Sequence, residues 1–323
     1  MRILKKNQAK SFFSVLKSIL IPMIFFAFQT SCLLKDSDRC ANGDIKCTGY
    51  LFLLFDHFSC NMRDMKTSST LFANIDKKFS VTPTAILIDM DKKGNYYLAS
   101  SSAEEIIQMT PDGTSKVLVN NGSATQIVAF SVKEEDEFFY VTNGSTAGIL
   151  KNQRGLSLDL YNIYPAANSY KSIVVQPKVI VLANGSSGIP LIVLNRNNLT
   201  YNTIPAGAYT YSAVTNRNNE LFVLEYDGAS SVNIKKGDID TQGFIVQGTY
   251  SVSGASPSDL IAGDNGSFLF KDTSSLVVTE SDTAFSVLNS SASTIGGIAN
   301  GPCGIYYTES NGSNIDLKVY TAK

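Results

Sequence analysis

Apolar and polar residues alternate in short runs along most of this chain. The stretch KKGNYYLASSSAEEIIQMTPDG, Lys92 to Gly113, contains two apolar runs, YYLAS and EIIQM, and closes on Pro-Asp-Gly. Short runs of β-branched or aromatic residues bounded by turn residues predict β-strands. Pro-Asp-Gly and Asn-Gly supply the positive φ angles that tight turns need, so antiparallel hairpins are expected.

The same pattern recurs six times. The strongest apolar runs of the successive segments are NYYLAS, EFFYVT, KVIVLA, ELFVLE, SFLFKD and GIYYTE. They start 42, 41, 42, 47 and 37 residues apart. Four short strands in each unit of about 40 residues are typical of a β-propeller blade. The sequence therefore predicts an all-β fold, a six-bladed β-propeller of four-stranded blades.

The strand count predicts how the ring closes. The last unit offers only TIGGIA, GIYYTE and DLKVYTA before Lys323. The segment SSTLFANID, Ser68 to Asp76, precedes the first complete unit and belongs to none. Pairing this N-terminal strand with the last unit would complete a four-stranded blade and cover an exposed sheet edge. The predicted propeller domain spans residues 68–323.

The N-terminus predicts export. Basic residues precede SILIPMIFFAF, Ser18 to Phe28, an apolar run of 11 residues that is too short for a permanent bilayer span. The sequence that follows, FQTSC, resembles the looser bacterial lipoboxes of spirochaetes, although Gln29 replaces the usual leucine. This resemblance implies a lipoprotein signal peptide at residues 1–31 and acylation (a palmitate-type modification) of Cys32. A retained membrane anchor and ordinary cleavage with an unmodified Cys32 are the alternatives.

Charge and composition narrow the classes of partner. Removing residues 1–31 removes five basic residues and no acidic ones, which leaves 27 − 5 = 22 Lys and Arg against 28 Asp and Glu, a net charge of −6. An acidic surface argues against nucleic acid or anionic lipid as the ligand. Only 17% of the residues are charged, which suits an exported β protein rich in turns.

Four further cysteines predict disulfides in the exported chain. Cys40, Cys47 and Cys60 lie in a leader at residues 32–67, and Cys303 lies near the C-terminus. Two disulfides have three pairings, of which Cys40–Cys47 with Cys60–Cys303 would tie the leader to the last unit. A zinc site is the alternative, but the cysteine spacings do not match a zinc knuckle and His57 is the only histidine.

Two further resemblances bear on the family. The apolar run GYLFLLFDHF, Gly49 to Phe58, is expected to cover apolar surface of the main domain as a short helix or strand. A lipobox, a Cys-rich segment with such a run and a β-repeat domain resemble leptospiral lipoproteins. The first unit, IDMDKKGNYYLAS with its TPDG turn, resembles an NHL-type repeat. Together they imply a lipid-anchored NHL-like propeller in a bacterial cell envelope, with the outer membrane favoured.

Candidate chemistry is sparse. The single histidine, His57, lies outside the repeats, which argues against a Ser-His-Asp arrangement. A metal-dependent lactonase would instead need oxygen ligands, for which Asp89, Asp91, Asn143 and Asp264 are the candidates. Asp89 and Asp91 precede a Gly-Asn turn, where aspartate is also favoured by local hydrogen bonds. A structural calcium ion is the one cofactor considered, and no catalytic residue is predicted.

A propeller is a rigid scaffold whose loops vary freely, and binding is its usual role. The favoured hypothesis is a monomeric envelope protein that is attached to the membrane by its lipid and binds a protein ligand, with a surface adhesin for host proteins as one form. A lactonase-like hydrolase and a periplasmic scaffold for envelope assembly are the alternatives. The strand aromatics Phe138, Tyr140, Phe222 and Tyr306 are expected to pack between blades.

Overall fold

The computed structural model describes the chain from residue 62 onward with short gaps. The described residues are 62–134, 137–143, 148–153, 156–162, 170–184, 188, 191–198, 200–204, 209–213, 220–238, 243–251, 257–263, 266–272, 275–281, 283–290, 293–301 and 304–322. They contain 24 strands and two 3₁₀ helices, Met62–Asp64 and Ile75–Lys78. Within these residues no helix has the length and apolar character needed to cross a membrane.

The strands are short and evenly spaced, as the turn residues between the apolar runs predict. In chain order they are β1 Met65–Phe72, β2 Ile86–Met90, β3 Tyr96–Ser100, β4 Glu105–Met109, β5 Ser115–Asn120, β6 Ile127–Glu134, β7 Glu137–Thr142, β8 Gly148–Gln153, β9 Leu156–Asn162, β10 Tyr170–Val175, β11 Val179–Asn184, β12 Leu191–Asn195, β13 Tyr201–Ile204, β14 Thr210–Ala213, β15 Leu221–Tyr226, β16 Ser231–Asp238, β17 Gly243–Ser251, β18 Pro257–Ala262, β19 Phe268–Asp272, β20 Ser275–Thr279, β21 Phe285–Ser290, β22 Thr294–Asn300, β23 Ile305–Ser310 and β24 Ile315–Ala322.

These strands form six four-stranded antiparallel sheets. Sheets 1 to 5 are the consecutive sets β2–β5, β6–β9, β10–β13, β14–β17 and β18–β21, and sheet 6 has the order β1-β24-β23-β22. The first strand of each sheet contacts the first strand of the next, and β22 contacts β2, so the first strands form a closed inner ring. This arrangement confirms the predicted all-β propeller fold.

Strand β1 closes the ring by pairing with β24, as predicted for the N-terminal strand. It begins at Met65, three residues before the predicted start at Ser68, and it ends at Phe72. Residues 73–76 leave the sheet, because Asn74 adopts a left-handed conformation with φ 56° and begins the second 3₁₀ helix. The buried Asp76 then accepts a 2.8 Å hydrogen bond from the backbone of Ile315, which ties this helix to β24.

Aromatic side chains pack in the seams between neighbouring sheets. Tyr97 and Phe138 join sheets 1 and 2 with ring centroids 6.0 Å apart. Phe222 and Phe268 meet at 5.1 Å between sheets 4 and 5. Tyr96 and Tyr306 meet at 5.4 Å between sheets 1 and 6. Edge-to-face and tilted contacts of this kind add to the hydrophobic burial, which is the role that the sequence predicts for the strand aromatics.

The outermost strand of each sheet lies at the rim, and within the described residues no further strand pairs with it. In sheets 1, 4 and 5 a β-bulge interrupts this outer strand at a corresponding place. The residue before each bulge is a valine with about half of its surface exposed: Val117 (49%), Val246 (52%) and Val287 (50%). A bulge twists an edge away from regular pairing, so the repeat itself limits edge-to-edge association.

Candidate functional site

The antiparallel order of the strands places their loops at two faces of the ring. We call the side on which the first strands begin the start face; it also carries the loops between second and third strands. The end face is the opposite side, where the first strands end. Loops on a rigid scaffold are where binding residues are usually found, so each face is a candidate site.

On the start face a buried carboxylate joins sheets 1 and 2. Glu104, in the loop between β3 and β4, is only 7% exposed. Its oxygens accept hydrogen bonds from Asn121 Nδ2 at 2.8 Å, Thr125 Oγ1 at 2.6 Å and the Tyr140 hydroxyl at 3.0 Å. Hydrogen bonds to an ionised group are shorter and stronger than neutral ones. Glu104 therefore fixes the segment that links the two sheets.

That linking segment, residues 121–126, is also held by its backbone. The amide of Glu104 donates to the carbonyl of Gly122 at 3.0 Å, and the amide of Asn121 donates to the carbonyl of Glu104 at 2.9 Å. Gly122 has φ 82°, as the Asn-Gly pair predicts. Ser123 and Gln126 lie at its surface, and both are exposed. The segment is thus a preorganised loop that presents hydroxyl and amide groups.

Asn143, a predicted metal ligand, belongs to the same polar surface. Its Oδ1 accepts a 2.8 Å hydrogen bond from the backbone of Gln126, and its Nδ2 donates to Gln126 Oε1 at 3.0 Å. Both ends of the amide are therefore occupied by the linking segment. The role of Asn143 in this structure is to fix the loop.

Hydroxyl groups extend the start face over sheet 1. Ser101 Oγ accepts a 2.9 Å hydrogen bond from the backbone of Ala85 and lies 3.1 Å from Thr84 Oγ1. The Ser102 hydroxyl accepts from the backbone of Thr84 at 2.9 Å. The start face of sheets 1 and 2 is thus polar and, apart from the buried Glu104, formed by uncharged groups in these contacts.

Asp89 lies at the other end of the ring. It stands near the end of β2, where its Oδ1 accepts a 2.8 Å hydrogen bond from the backbone of Met90 and its Oδ2 accepts one of 2.7 Å from Val132. Burial raises the pKa of Asp89 to about 6, which outweighs the lowering by these backbone donors. A carboxyl group that titrates near pH 6 can act as an acid or a base in that range.

Asp91 forms the turn between β2 and β3. Its Oδ1 accepts from the backbone amides of Lys93 and Asn95, both at 2.9 Å, and its Oδ2 accepts from Asn95 Nδ2 at 2.8 Å. The sequence analysis gave such local hydrogen bonds within the turn as the alternative to metal binding for this residue. The Asp91 oxygens point at donors, an arrangement that does not suit the coordination of a calcium ion.

The structure does not bring the predicted metal ligands together. Asp89 and Asp91 lie on the end face, whereas Asn143 follows β7, which runs in the opposite direction and ends at the start face. Asp264 lies outside the described residues. Across the described part of the chain, no three Asp, Glu, His or Cys side chains are grouped so that they could hold a metal ion. Asp89 and Asp91 therefore do not share a site with Asn143, because their strands end on opposite faces. A metal at any one of these candidates stays a prediction.

The ends of the second strands carry polar residues on the start face, and of those below only Asn143 was a predicted candidate. Asn143 follows β7, Asp227 follows β15, and Asp272 ends β19. The Oδ1 atom of Asp227 accepts three backbone hydrogen bonds, and that from Ser231 is the main cause of its lowered pKa. In the sequence these polar residues stand at the end of the apolar runs EFFYVT, ELFVLE and SFLFKD, or one to two positions after it.

A second polar group joins sheets 5 and 6. Lys271 Nζ lies 2.7 Å from Asp259 Oδ2 and donates to the carbonyl of Gly296 at 3.0 Å. Asp259 has φ 45° at a break in the register of β18. A non-glycine residue in this region carries strain, so the surrounding structure must hold it there. No pattern in the sequence indicates this pair.

The cysteine predictions lie outside the described residues. They concern Cys32, Cys40, Cys47, Cys60 and Cys303, together with the signal peptide and the leader before Met62. Acylation and disulfide pairing therefore stay predictions.

Comparison with known proteins shows the fold and no family. No protein-family model and no curated protein matches the sequence. A gluconolactonase from Xanthomonas campestris has a TM-score of 0.62 at 12% identity, covering 79% of this chain and 89% of that chain. A putative gluconolactonase has a TM-score of 0.60 at 10% identity, covering 80% and 94%. A streptogramin B lyase has a TM-score of 0.54 at 12% identity, covering 79% and 97%. The chain is thus similar in fold to β-propellers that include gluconolactonases and a lyase.

Proposed function

We propose that the protein is a lipid-anchored binding protein of a bacterial cell envelope, and that the start face of sheets 1 and 2 binds its ligand. The anchor would be Cys32, and the ligand a protein. The single observation that supports the binding role is the loop at residues 121–126, which Glu104 holds from three sides while outer groups such as Ser123 stay exposed. A polar loop fixed in advance loses little conformational entropy when it binds.

A matched pair of surface variants tests the binding face. Ser123 is exposed on the start face and Asn197 is exposed on the end face. Purified protein would be applied to immobilised matrix and plasma proteins. We expect Ser123→Arg to abolish any binding found and Asn197→Arg to leave it unchanged. Equal effects of the two variants would contradict the assignment of the face.

Location is a separate part of the proposal. Protease treatment of intact cells, with a periplasmic protein as control, distinguishes a surface adhesin from a periplasmic scaffold. Cleavage without lysis supports the adhesin, and protection supports the scaffold. Replacement of Cys32 by alanine should release the protein from membranes. If the Cys32→Ala protein remained membrane-bound, the lipid anchor would be wrong.

A lactone-hydrolysing enzyme is the second candidate. Two observations favour it: the similarity in fold to gluconolactonases, and the pKa of about 6 that burial gives to Asp89 on the end face. The test is hydrolysis of gluconolactone by the purified protein, with and without added divalent ions. Turnover that Asp89→Asn removes would support the enzyme. Turnover that survives this change, but needs metal and is lost in Asp272→Asn, would place the reaction on the start face instead.

A further inference from the structure

The described chain begins in the seam between sheets 5 and 6, close to the outer strand of sheet 5. Met62 and Met65 are buried in an apolar cluster with residues of sheets 5 and 6. Arg63 Nε donates a 3.0 Å hydrogen bond to the carbonyl of Thr279, the last residue of β20. Thr279 pairs with Phe285, the first residue of β21. The leader therefore reaches the propeller at the end face, where the outer strand of sheet 5 begins.

The outer strand of sheet 5, β21, carries no charged residue. Strand β21 has the sequence FSVLNS. Val287 is 50% exposed on this strand. Leu288 packs partly buried against the cluster that contains Met62. Its carbonyl accepts a 2.9 Å hydrogen bond from the Tyr320 hydroxyl, which fixes the edge to sheet 6.

Most of the other outer strands are protected in ways that β21 is not. Strands β1 and β5 carry the charged residues Lys66 and Lys116, and β13 has only four residues. Charge and short length are devices that discourage an added strand. Strand β17 is also uncharged, but it belongs to sheet 4, one sheet further from Met62. Apart from its bulge, β21 has neither device, and it lies nearer to Met62 than β17 does.

We propose that the leader segment Gly49–Phe58 lies antiparallel along the outer edge of β21 and covers Val287. Three residues separate Phe58 from Met62, and the four Cα-to-Cα steps between them span at most about 14 Å. The segment's ten residues extend over about 33 Å, and the six residues of β21 over about 20 Å. Strand β21 runs from the end face to the start face, so a leader returning to Met62 runs in the opposite direction. The lengths and the direction are both those of an added antiparallel strand.

The chemistry of the segment matches this edge. GYLFLLFDHF has one acidic residue, Asp56, and is otherwise apolar or aromatic apart from Gly49 and His57. An added strand gains backbone hydrogen bonds from the free edge and buries its apolar side chains against exposed neighbours. It would occupy the rim at sheets 5 and 6 and leave the start face of sheets 1 and 2 open.

The repeat supplies matched controls for the test. Val287, Val117 and Val246 precede equivalent bulges and are about equally exposed, so a glutamate at each has the same intrinsic cost. The full chain purified from membranes would be treated with chymotrypsin, and cleavage between residues 50 and 58 would be followed by mass spectrometry. We expect Val287→Glu to raise the cleavage rate at least tenfold, and Val117→Glu and Val246→Glu to change it less than twofold.

A reciprocal experiment examines the strand itself. Leu53→Ser/Leu54→Ser weakens the leader without changing the propeller, so it stays informative if Val287→Glu fails to fold. Hydrogen exchange at residues 285–290 should then accelerate at least tenfold, while exchange at residues 115–120 stays unchanged. In this variant, unchanged exchange at residues 285–290, or faster exchange at residues 243–251 instead, would overturn the proposal. Equal cleavage rates in the three valine variants would overturn it as well.

Discussion

The hydroxyl of Thr308 on β23 donates a 2.6 Å hydrogen bond to the backbone carbonyl of Ile86 on β2, more than 200 residues earlier in the chain. The same hydroxyl accepts a 3.0 Å hydrogen bond from the amide of Gly297 on β22. Both bonds are buried. One side chain therefore satisfies two backbone groups at the seam where the last sheet meets the first.

Replacing Thr308 by valine should destabilise the protein by about 3 kcal/mol, because an unsatisfied buried backbone group costs about 1–3 kcal/mol and two would result. The measurement is the free energy of unfolding from urea denaturation. Thr308→Ser keeps the hydroxyl and loses one methyl group, so we expect it to cost about 1 kcal/mol. If the two variants were equally stable, the hydroxyl would not be what holds this seam.

Gly297 at the same seam leaves no room for a side chain. A Cβ atom there would lie 2.8 Å from the backbone nitrogen of Ile88 and 2.9 Å from the Cα of Leu87. Because these are backbone atoms of the inner ring, they cannot move aside cheaply. We expect Gly297→Ala to cost about 3 kcal/mol or more in urea denaturation.

Gly122 provides the contrast for this prediction. It has φ +82°, and a Cβ atom added there would have no neighbour within 4 Å, so alanine meets backbone strain but no steric clash. Gly122→Ala should cost about 1 kcal/mol. A smaller loss for Gly297→Ala than for Gly122→Ala would mean that the two inner strands can separate without cost.

The repeat and the closing strand were predictable because both are written in local patterns. Runs such as YYLAS and EIIQM became β3 and β4, and the positive φ of Gly113 and Gly122 followed from Asp-Gly and Asn-Gly. Strands such as β3 and β4 are buried between neighbouring sheets and are therefore apolar. The spacing of apolar runs along the sequence thus reveals the repeat. Register breaks such as that after Val287 depend on tertiary contacts, and no local residue type marks them.

The candidate site was less predictable, since its residues meet across sheets. Glu104 stands just before a strand and looks like an ordinary polar residue in the sequence. In the structure it accepts hydrogen bonds from the linking segment, residues 121–126, and from Tyr140, 36 residues later. Asp89 and Asn143 were both candidate metal ligands at or near strand ends, yet their strands end on opposite faces. Strand direction in the folded repeat, more than composition, decides which polar groups meet.

Glu104 should be the most sensitive position of the start face. Glu104→Ala leaves Asn121, Thr125 and Tyr140 without their shared acceptor. We expect a loss of about 3 kcal/mol in the free energy of unfolding, together with faster hydrogen exchange at residues 121–126.

The neighbouring Ser123→Ala is the control for Glu104, because Ser123 is exposed in the same segment. This substitution should change stability by no more than about 0.5 kcal/mol. Unchanged exchange at residues 121–126 in Glu104→Ala would show that the backbone bonds alone fix the loop.

Asp89 predicts a dependence of stability on pH. Burial raises its pKa from 3.8 to about 6 in the folded protein. Between these values the folded protein keeps the proton that the unfolded chain releases, so the contribution of Asp89 to stability falls as pH rises through the window from about 4 to 6. Asp89→Asn does not ionise. Relative to this variant, the wild type should lose about 2 kcal/mol between pH 4 and pH 7, with no further change above pH 7.

Urea denaturation of both proteins at several pH values measures the difference. If the wild type instead gained on the variant as pH rose, the backbone donors from Met90 and Val132 would dominate over burial, and the pKa of Asp89 would lie below its ordinary value.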